Sequence, residues 1–185
     1  NILRVRADLI NGPPTTTSGL DFDLAYRIDD VMGGDLTFSG SATYILEYEV
    51  GATTLAGVPL AAGYSAVGYL NDDRGGNSMP RYKAYGRVDY AYGMHNLGLG
   101  VRYVASYVDN RRAIFNPASL KGWKIPDTVQ VDLNYLMRME RATFSFSIEN
   151  LFDTDPAFAR TAYSYDTFVG NPYGRVLKFG IKASF

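Results

Sequence analysis

The amino-acid sequence predicts an all-β fold, an antiparallel up-and-down transmembrane β-barrel of about eight strands. Three observations lead to this prediction. Apolar and polar residues alternate over most of the chain, short and long connections follow one another in turn, and tyrosines lie toward the ends of the apolar faces. Alternation with a period of two is typical of strands that have one apolar and one polar face.

Composition limits the classes of function. The chain has 185 residues, a net charge of -1 and no cysteine. This charge gives no support for a nucleic-acid partner, and the absence of cysteine excludes disulfides and cysteine-based metal sites. No apolar run reaches the length of about 18 residues that a membrane-spanning helix needs, whereas a barrel strand needs only about 9–11 residues. The chain begins without the basic and apolar regions of a signal peptide, so we expect a mature chain or a fragment.

Eight segments alternate strongly enough to be predicted as strands, the first of them least clearly. Several exceed ten residues, whereas strands in ordinary sheets have about 5–6. In the segment at 20–28, for example, Leu20, Phe22 and Leu24 lie opposite Asp21 and Asp23. The predicted strands cover residues 3–9, 20–28, 36–50, 82–92, 97–107, 129–135, 141–149 and 177–185.

The connections predict the orientation of the sheet. Short turns are expected at 29–35, 93–96 and 137–140, and long segments at 11–19, 51–80, 109–126 and 153–174. Outer-membrane barrels have short periplasmic turns and long extracellular loops. We therefore expect a location in the bacterial outer membrane, with lipid as a partner and a periplasmic C-terminus. A soluble β-sandwich also alternates, but it explains neither the strand lengths nor the alternating connections.

The C-terminal segment carries motifs. The stretch 148–153, Ile-Glu-Asn-Leu-Phe-Asp, resembles the "NLFD" motif of TonB-dependent outer-membrane receptors, and the stretch 171–175, Asn-Pro-Tyr-Gly-Arg, follows it in the order typical of that family. The earlier Gly19, Leu20 and Asp21 also resemble a family segment. The resemblance is strong over about the last forty residues and looser before them.

This resemblance implies a role in the active uptake of a scarce nutrient, of the siderophore-iron, cobalamin or oligosaccharide class. The family has a 22-stranded barrel filled by an N-terminal plug. Residues 1–185 would be the C-terminal third of that barrel, without the plug, so that the TonB complex is a partner only through a plug missing from this chain. Two alternatives stay open: a stand-alone small outer-membrane barrel with a structural, pore or adhesive role, and a soluble β-sheet binding module.

The last strand also resembles the signal that the barrel-assembly machinery reads. In that pattern a polar residue, a glycine and two apolar or aromatic residues lead to a terminal aromatic. The corresponding residues are Lys178, Gly180, Ala183 and Phe185. An exposed strand edge can pair with a partner strand before the barrel closes.

Candidate binding residues fall into two groups. Arg87, Arg102, Asp132 and Glu149 are predicted to face the lumen, where they contact a solute or the plug, or only supply general polarity. The many charges on this face favour a wide, wet lumen over a narrow closed one. In the loop at 51–80, Tyr64, Tyr69 and Arg74 are candidates for ligand capture, because loops carry binding residues more often than scaffolds do.

No enzyme, cofactor or metal site is predicted. His95 is the only histidine and is expected in a short turn, so no nucleophile, histidine and acid set can be assembled. Asp72 and Asp73, with Asn71 and Asn77, offer oxygen ligands for a hard cation. Their spacing fits no complete binding loop, and a solvated loop is the favoured interpretation.

Overall fold

The computed structural model describes residues 12–74, 76–113 and 123–183, with no description of the side chains at 112 and 113. The predicted strand at 3–9 and Phe185 lie outside the described residues. Twelve strands are described: β1 Thr15–Val31, β2 Gly34–Val50, β3 Thr53–Leu55, β4 Val58–Ala61, β5 Tyr64–Ser65, β6 Tyr82–Tyr92, β7 His95–Val104, β8 Tyr107–Val108, β9 Lys124–Ile125, β10 Thr128–Arg138, β11 Ala142–Glu149 and β12 Val176–Ala183. Two short 3₁₀ turns cover Asp72–Arg74 and Asn110–Ala113.

The long strands form one antiparallel sheet in the order β1-β2-β6-β7-β10-β11-β12, with the short β5 also paired to β2. Each long strand is therefore hydrogen-bonded to the next long strand along the chain. The predicted all-β antiparallel meander is confirmed. Within the described residues no pairing joins β1 to β12, so the described sheet is open.

The strand register places the alternating residues on two continuous faces. Directly paired residues in neighbouring strands point to the same side of a sheet. One row of the apolar face consists of Tyr26, Phe38, Val88, Leu99, Leu133, Ile148 and Leu177. The parallel row of the polar face consists of Arg27, Thr37, Asp89, Gly98, Asn134, Ser147 and Lys178. We call these two sides the apolar face and the polar face.

Short turns join the long strands at one end of the sheet. Met32 and Gly33 connect β1 to β2, and both adopt left-handed backbone angles, with φ of 56° and 83°. Gly93, with φ of 55°, and Met94 connect β6 to β7. Residues 139–141 connect β10 to β11. The first two turns lie within the predicted short connections, and the third overlaps the connection predicted at 137–140.

The three long connections, at 51–81, 105–127 and 150–175, all leave the opposite end of the sheet. Their described parts pack on one another, and we call them the loop cluster. Leu70, Tyr107, Ile125 and Ala159 form its buried core, with Ala157 and Val169 packed against them. The apolar residues of the long strands are mostly exposed; Phe22 and Leu24 are 59% and 62% exposed. The buried core therefore lies in the loops and not against the sheet.

Most strand boundaries differ from the prediction by one or more residues, and two of these differences affect how the chain is interpreted. The segment predicted as a strand at 97–107 ends at Val104, and Tyr107 belongs to the separate strand β8. Tyr107 is only 3% exposed, so it is a core residue of the loop cluster and not a tyrosine at the edge of the apolar face. The strand predicted to begin at residue 20 begins at Thr15. Residues 15–18 are all polar, so they continue the strand without the alternation on which the prediction depends. No helix in the described part of the chain is long and apolar enough to cross a membrane.

Candidate functional site

The four residues predicted to face a lumen share the polar face, and each has an ionic partner. Arg87 Nε donates to Asp89 Oδ2 at 2.6 Å. Arg102 Nη2 lies 3.5 Å from Asp132 Oδ2. The Lys178 ammonium on β12 is paired with Glu149 on β11.

Two glycines of β7 leave room for long side chains on this face. A Cβ at Gly98 would lie 2.5 Å from Arg87 Nη2 and 2.6 Å from Asp89 Oδ1. A Cβ at Gly100 would lie 2.8 Å from the hydroxyl of Tyr85. The side chains of β6 thus lie across β7, where a larger residue would displace them.

Asp132 links the polar face to the C-terminal motif. It is 9% exposed, and its Oδ1 accepts hydrogen bonds from the backbone N–H of Asn150 at 2.9 Å and from Gln130 Nε2 at 3.1 Å. A buried carboxylate that accepts several hydrogen bonds is held in one position. Asp132 therefore has a structural contact with the motif that the sequence did not predict.

The motif at 150–153 forms the tight exit from β11. Asn150 has a left-handed φ of 56°, which asparagine tolerates better than most residues. Its Oδ1 accepts from the Thr154 N–H and its Nδ2 donates to the Thr154 carbonyl oxygen, both at 2.9 Å. Asp153 Oδ1 accepts from the Arg175 N–H at 2.7 Å. The motif thus closes the base of the third long connection by joining its beginning to its end.

A buried ionic network joins all three long connections. Asp109 is fully buried, and Arg111 binds both of its carboxylate oxygens, through Nε at 2.9 Å and Nη2 at 3.0 Å. Arg160 Nε donates to Asp109 Oδ2 at 3.3 Å, and Arg111 Nη1 donates to Asp72 Oδ2 at 2.6 Å. Burial acts to raise the pKa of Asp109, but the hydrogen bonds and charges of the two arginines lower this pKa by more.

A second buried pair holds the third connection to the second. The Tyr107 hydroxyl donates to Asp166 Oδ2 at 2.5 Å, and Asp166 Oδ1 accepts from the Phe168 N–H at 2.9 Å. Burial, followed by the contact with the Asp166 carboxylate, raises the pKa of Tyr107 far above its ordinary value. The hydroxyl therefore stays protonated and remains a donor.

Asn71 organises the first long connection. It is fully buried, has a left-handed φ of 57°, and donates through Nδ2 to the carbonyl oxygens of Ala66, Tyr69 and Asn77. Its backbone N–H donates to Asn110 Oδ1 at 2.9 Å. Asp73 accepts from Asn110, and Asp72 is bound by Arg111. The interpretation of residues 71–77 as a solvated loop is therefore wrong for Asn71, because its amide holds the loop together from inside.

The three loop residues proposed for ligand capture line one cleft. Its volume is about 410 Å³, and its walls are Tyr64, Ser65, Tyr69, Arg74, Val108 and Asn110. The Arg74 guanidinium carbon lies 4.6 Å from the centre of the Tyr64 ring, within the range of a cation–π contact. The structure thus brings together Tyr64, Tyr69 and Arg74, and adds Val108 and Asn110 from the second long connection.

Sequence reasoning missed Asp109, Asp166 and Asn110 because each has side-chain partners that are 37 to 59 residues away along the chain. One signal was available. Asp109 and Arg111 are two residues apart within a segment rich in polar residues, as a local ion pair requires.

His95 begins β7 and does not lie within the turn. Its Nδ1 lies 2.6 Å from the hydroxyl of Tyr135, which is on the apolar face of β10. Within the described residues, no three His, Cys, Asp or Glu side chains are grouped so that they could hold a metal ion.

Lys178, Gly180 and Ala183 of the proposed assembly signal lie on the edge strand β12, which in the described sheet pairs only with β11. Lys178 and Gly180 pair with Ser147 and Ser145 on the polar face, and Ala183 pairs with Ala142. Phe185 lies outside the described residues.

Comparisons with protein-family models, with curated proteins and with solved structures each found no match to this chain. The function is therefore argued from the residues and the geometry.

Proposed function

We propose that this chain is part of the wall of a TonB-dependent outer-membrane transporter, which takes up a scarce nutrient of the siderophore-iron, cobalamin or oligosaccharide class. The observation that carries the proposal is the exposed apolar face, which continues through all the long strands. Phe22, Leu24 and Ile181 are 59%, 62% and 74% exposed. A surface of this size and regularity on one side of a sheet suits hydrocarbon and not water.

The opposite face supports the same proposal. Arg27, Arg87, Asp89 and Lys178 lie on one side of the sheet, where ion pairs such as Arg27 with Asp35 at 2.7 Å keep them together. Polar residues on the inner side and apolar residues on the outer side are the pattern of a membrane barrel with a wet lumen.

The arrangement of connections supports the proposed orientation. The loop cluster would be extracellular and the short turns periplasmic, which gives a periplasmic C-terminus. The edge strand β12 would present Lys178 and Gly180 to the barrel-assembly machinery, and the TonB complex would act through a plug outside this chain.

The motif at 150–153 favours the receptor family over outer-membrane barrels in general. Its hydrogen bonds to Thr154 and Asp132 give it a defined role at the base of the third connection. The support for the family is a resemblance in sequence. The hydrogen bonds of Asn150 and Asp153 give a physical reason why the motif has an asparagine and an aspartate at these positions.

The coding sequence on the 5′ side of Asn1 tests the transporter proposal. We expect a plug domain and about fourteen further strands, the number that completes the family's 22-stranded barrel. A signal peptide directly before Asn1 would instead support a small complete barrel. If the chain were folded and monodisperse without detergent or lipid, both membrane interpretations would be contradicted in favour of a soluble module.

A further inference from the structure

The cleft in the loop cluster has an excess of unused hydrogen-bond donors. Within the described residues, neither the Tyr64 nor the Tyr69 hydroxyl has a hydrogen-bond partner in the protein, and the Arg74 guanidinium donates no hydrogen bond. Tyr69 is 37% exposed, so the cleft is open to solvent. These groups are available to a bound molecule.

No carboxylate of the described residues lies within hydrogen-bond distance of the Arg74 guanidinium. Its nearest carboxylate oxygen is Asp73 Oδ1, which lies 4.0 Å from Arg74 Nε and already accepts a hydrogen bond from Asn110. Asp72, the other acid of this turn, is bound by Arg111 at 2.6 Å. Both acids of this turn therefore have partners of their own and neither lines the cleft, whereas Arg74 does.

The remaining wall is mixed, with aromatic and aliphatic surface beside the polar residues Ser65 and Asn110. Val108 and the rings of Tyr64 and Tyr69 offer flat and aliphatic surface, and the cleft volume of about 410 Å³ lies within the range of small-molecule sites. Aromatic and aliphatic surface holds the body of a ligand, and the converging polar groups fix its orientation.

We propose that this cleft binds an organic anion, a carboxylate or similar oxyanion attached to a ring-shaped body. The Arg74 guanidinium binds the anionic oxygens, for which its planar donors are suited. The Tyr64 and Tyr69 hydroxyls donate to the same group or to its neighbours, while the ring of the ligand packs on Tyr69 and Val108. The proposed site deepens the proposed function. It rests on that function only in that the ligand would reach the cleft from outside the cell.

Benzoate and benzamide form a matched pair of probes, because they have the same ring and nearly the same shape and differ in charge. We would titrate each into the full chain in detergent micelles and measure its dissociation constant by ligand-observed NMR. Benzoate is expected to bind at least about tenfold more tightly than benzamide, as a charge-assisted hydrogen bond predicts.

Variants test whether Arg74 causes this preference. Arg74→Gln should remove the tenfold preference for benzoate and leave benzamide binding unchanged. Arg74→Lys should retain most of the preference for benzoate. Arg141→Gln is the control, because Arg141 is an exposed arginine in a short turn at the other end of the sheet.

The proposal is overturned if wild-type protein binds the two probes equally or binds neither. It is also overturned if Arg74→Gln retains the preference, or if Arg141→Gln loses it to the same degree. If the binding experiment fails in a chain that still inserts into lipid, the cleft proposal is contradicted and the transporter proposal still stands. Failure to insert would instead contradict the transporter proposal alone.

Discussion

Asp109 lies at the centre of the ionic network of the loop cluster. Its carboxylate binds Arg111 and Arg160, and its backbone N–H donates to the carbonyl oxygen of Trp123 at 2.9 Å. A buried ion pair of this kind adds little net stability over apolar packing, but removing one partner leaves a buried charge that costs about 3–5 kcal/mol. The network therefore selects one arrangement of the three long connections.

The stability of this network should depend on pH. Because the arginines lower the pKa of Asp109 below its ordinary value of 3.8, the ionised carboxylate contributes stability that is fully present above that value. The contribution is lost as the pH falls through the lower pKa of the folded state. Trp123, the single tryptophan, reports on this region by its fluorescence. We expect its emission to shift toward the red only below about pH 4.

Asp109→Asn should remove this transition. In the variant the two arginines lose their buried counter-charge, so the emission of Trp123 should already be shifted at neutral pH and should change little on acidification. Asp155→Asn, at an exposed position in the third connection, is the control and should behave as wild type. A variant Asp109→Asn with the wild-type pH profile would contradict the role given to this carboxylate.

At the scale of elements, strand pairing follows from the alternating pattern. The contacts around the first turn, between β1 and β2, show how tightly the strand register is fixed. The Tyr90 hydroxyl donates to the Val31 carbonyl oxygen at 3.1 Å, and the Tyr90 ring lies over Gly34. A Cβ at Gly34 would lie 2.5 Å from the Ala91 carbonyl oxygen and 2.9 Å from the Tyr90 ring. At Gly86, by contrast, a Cβ would meet nothing within 4 Å.

These two glycines give a matched prediction. Gly34→Ala should lower the free energy of unfolding by about 1–3 kcal/mol, because the added methyl group presses on backbone and on a ring that is held in place. Gly86→Ala should change it by less than about 0.5 kcal/mol, as for an open surface position. Urea unfolding in detergent measures both values. Equal losses for the two variants would contradict the described register of β2 and β6.

The elements also show how far sequence reasoning reaches. The long strands and short turns were predictable because alternation is a local pattern that the sheet preserves. The end of β7 at Val104 was not predictable, because the alternation continues from Leu97 to Tyr107. Tyr107 leaves the sheet because it packs in the core of the loop cluster. Likewise, Tyr64, Tyr69 and Arg74 were chosen from the sequence, but Asn110 and Val108 join the cleft through folding of a distant loop.

At the scale of the whole molecule, the apolar residues are distributed unlike those of a soluble domain. The buried core consists of loop residues such as Leu70 and Ile125, whereas the long strands expose their apolar side. Burial of apolar surface is the main favourable contribution to folding, at about 25 cal/mol per Å². The sheet lacks this contribution in water, and insertion into a bilayer would supply it.

Lipid contact along one strand tests this central claim most directly. The chain has no cysteine, so single cysteines can be placed along β2 and labelled with a fluorophore in a bilayer that contains lipids with a quencher on their acyl chains. Strong quenching is predicted for Leu36→Cys, Phe38→Cys and Ala42→Cys on the apolar face, and weak quenching for Thr37→Cys, Ser39→Cys and Ser41→Cys on the polar face. Equal quenching at all six positions, or none at any, would contradict a lipid-facing apolar surface.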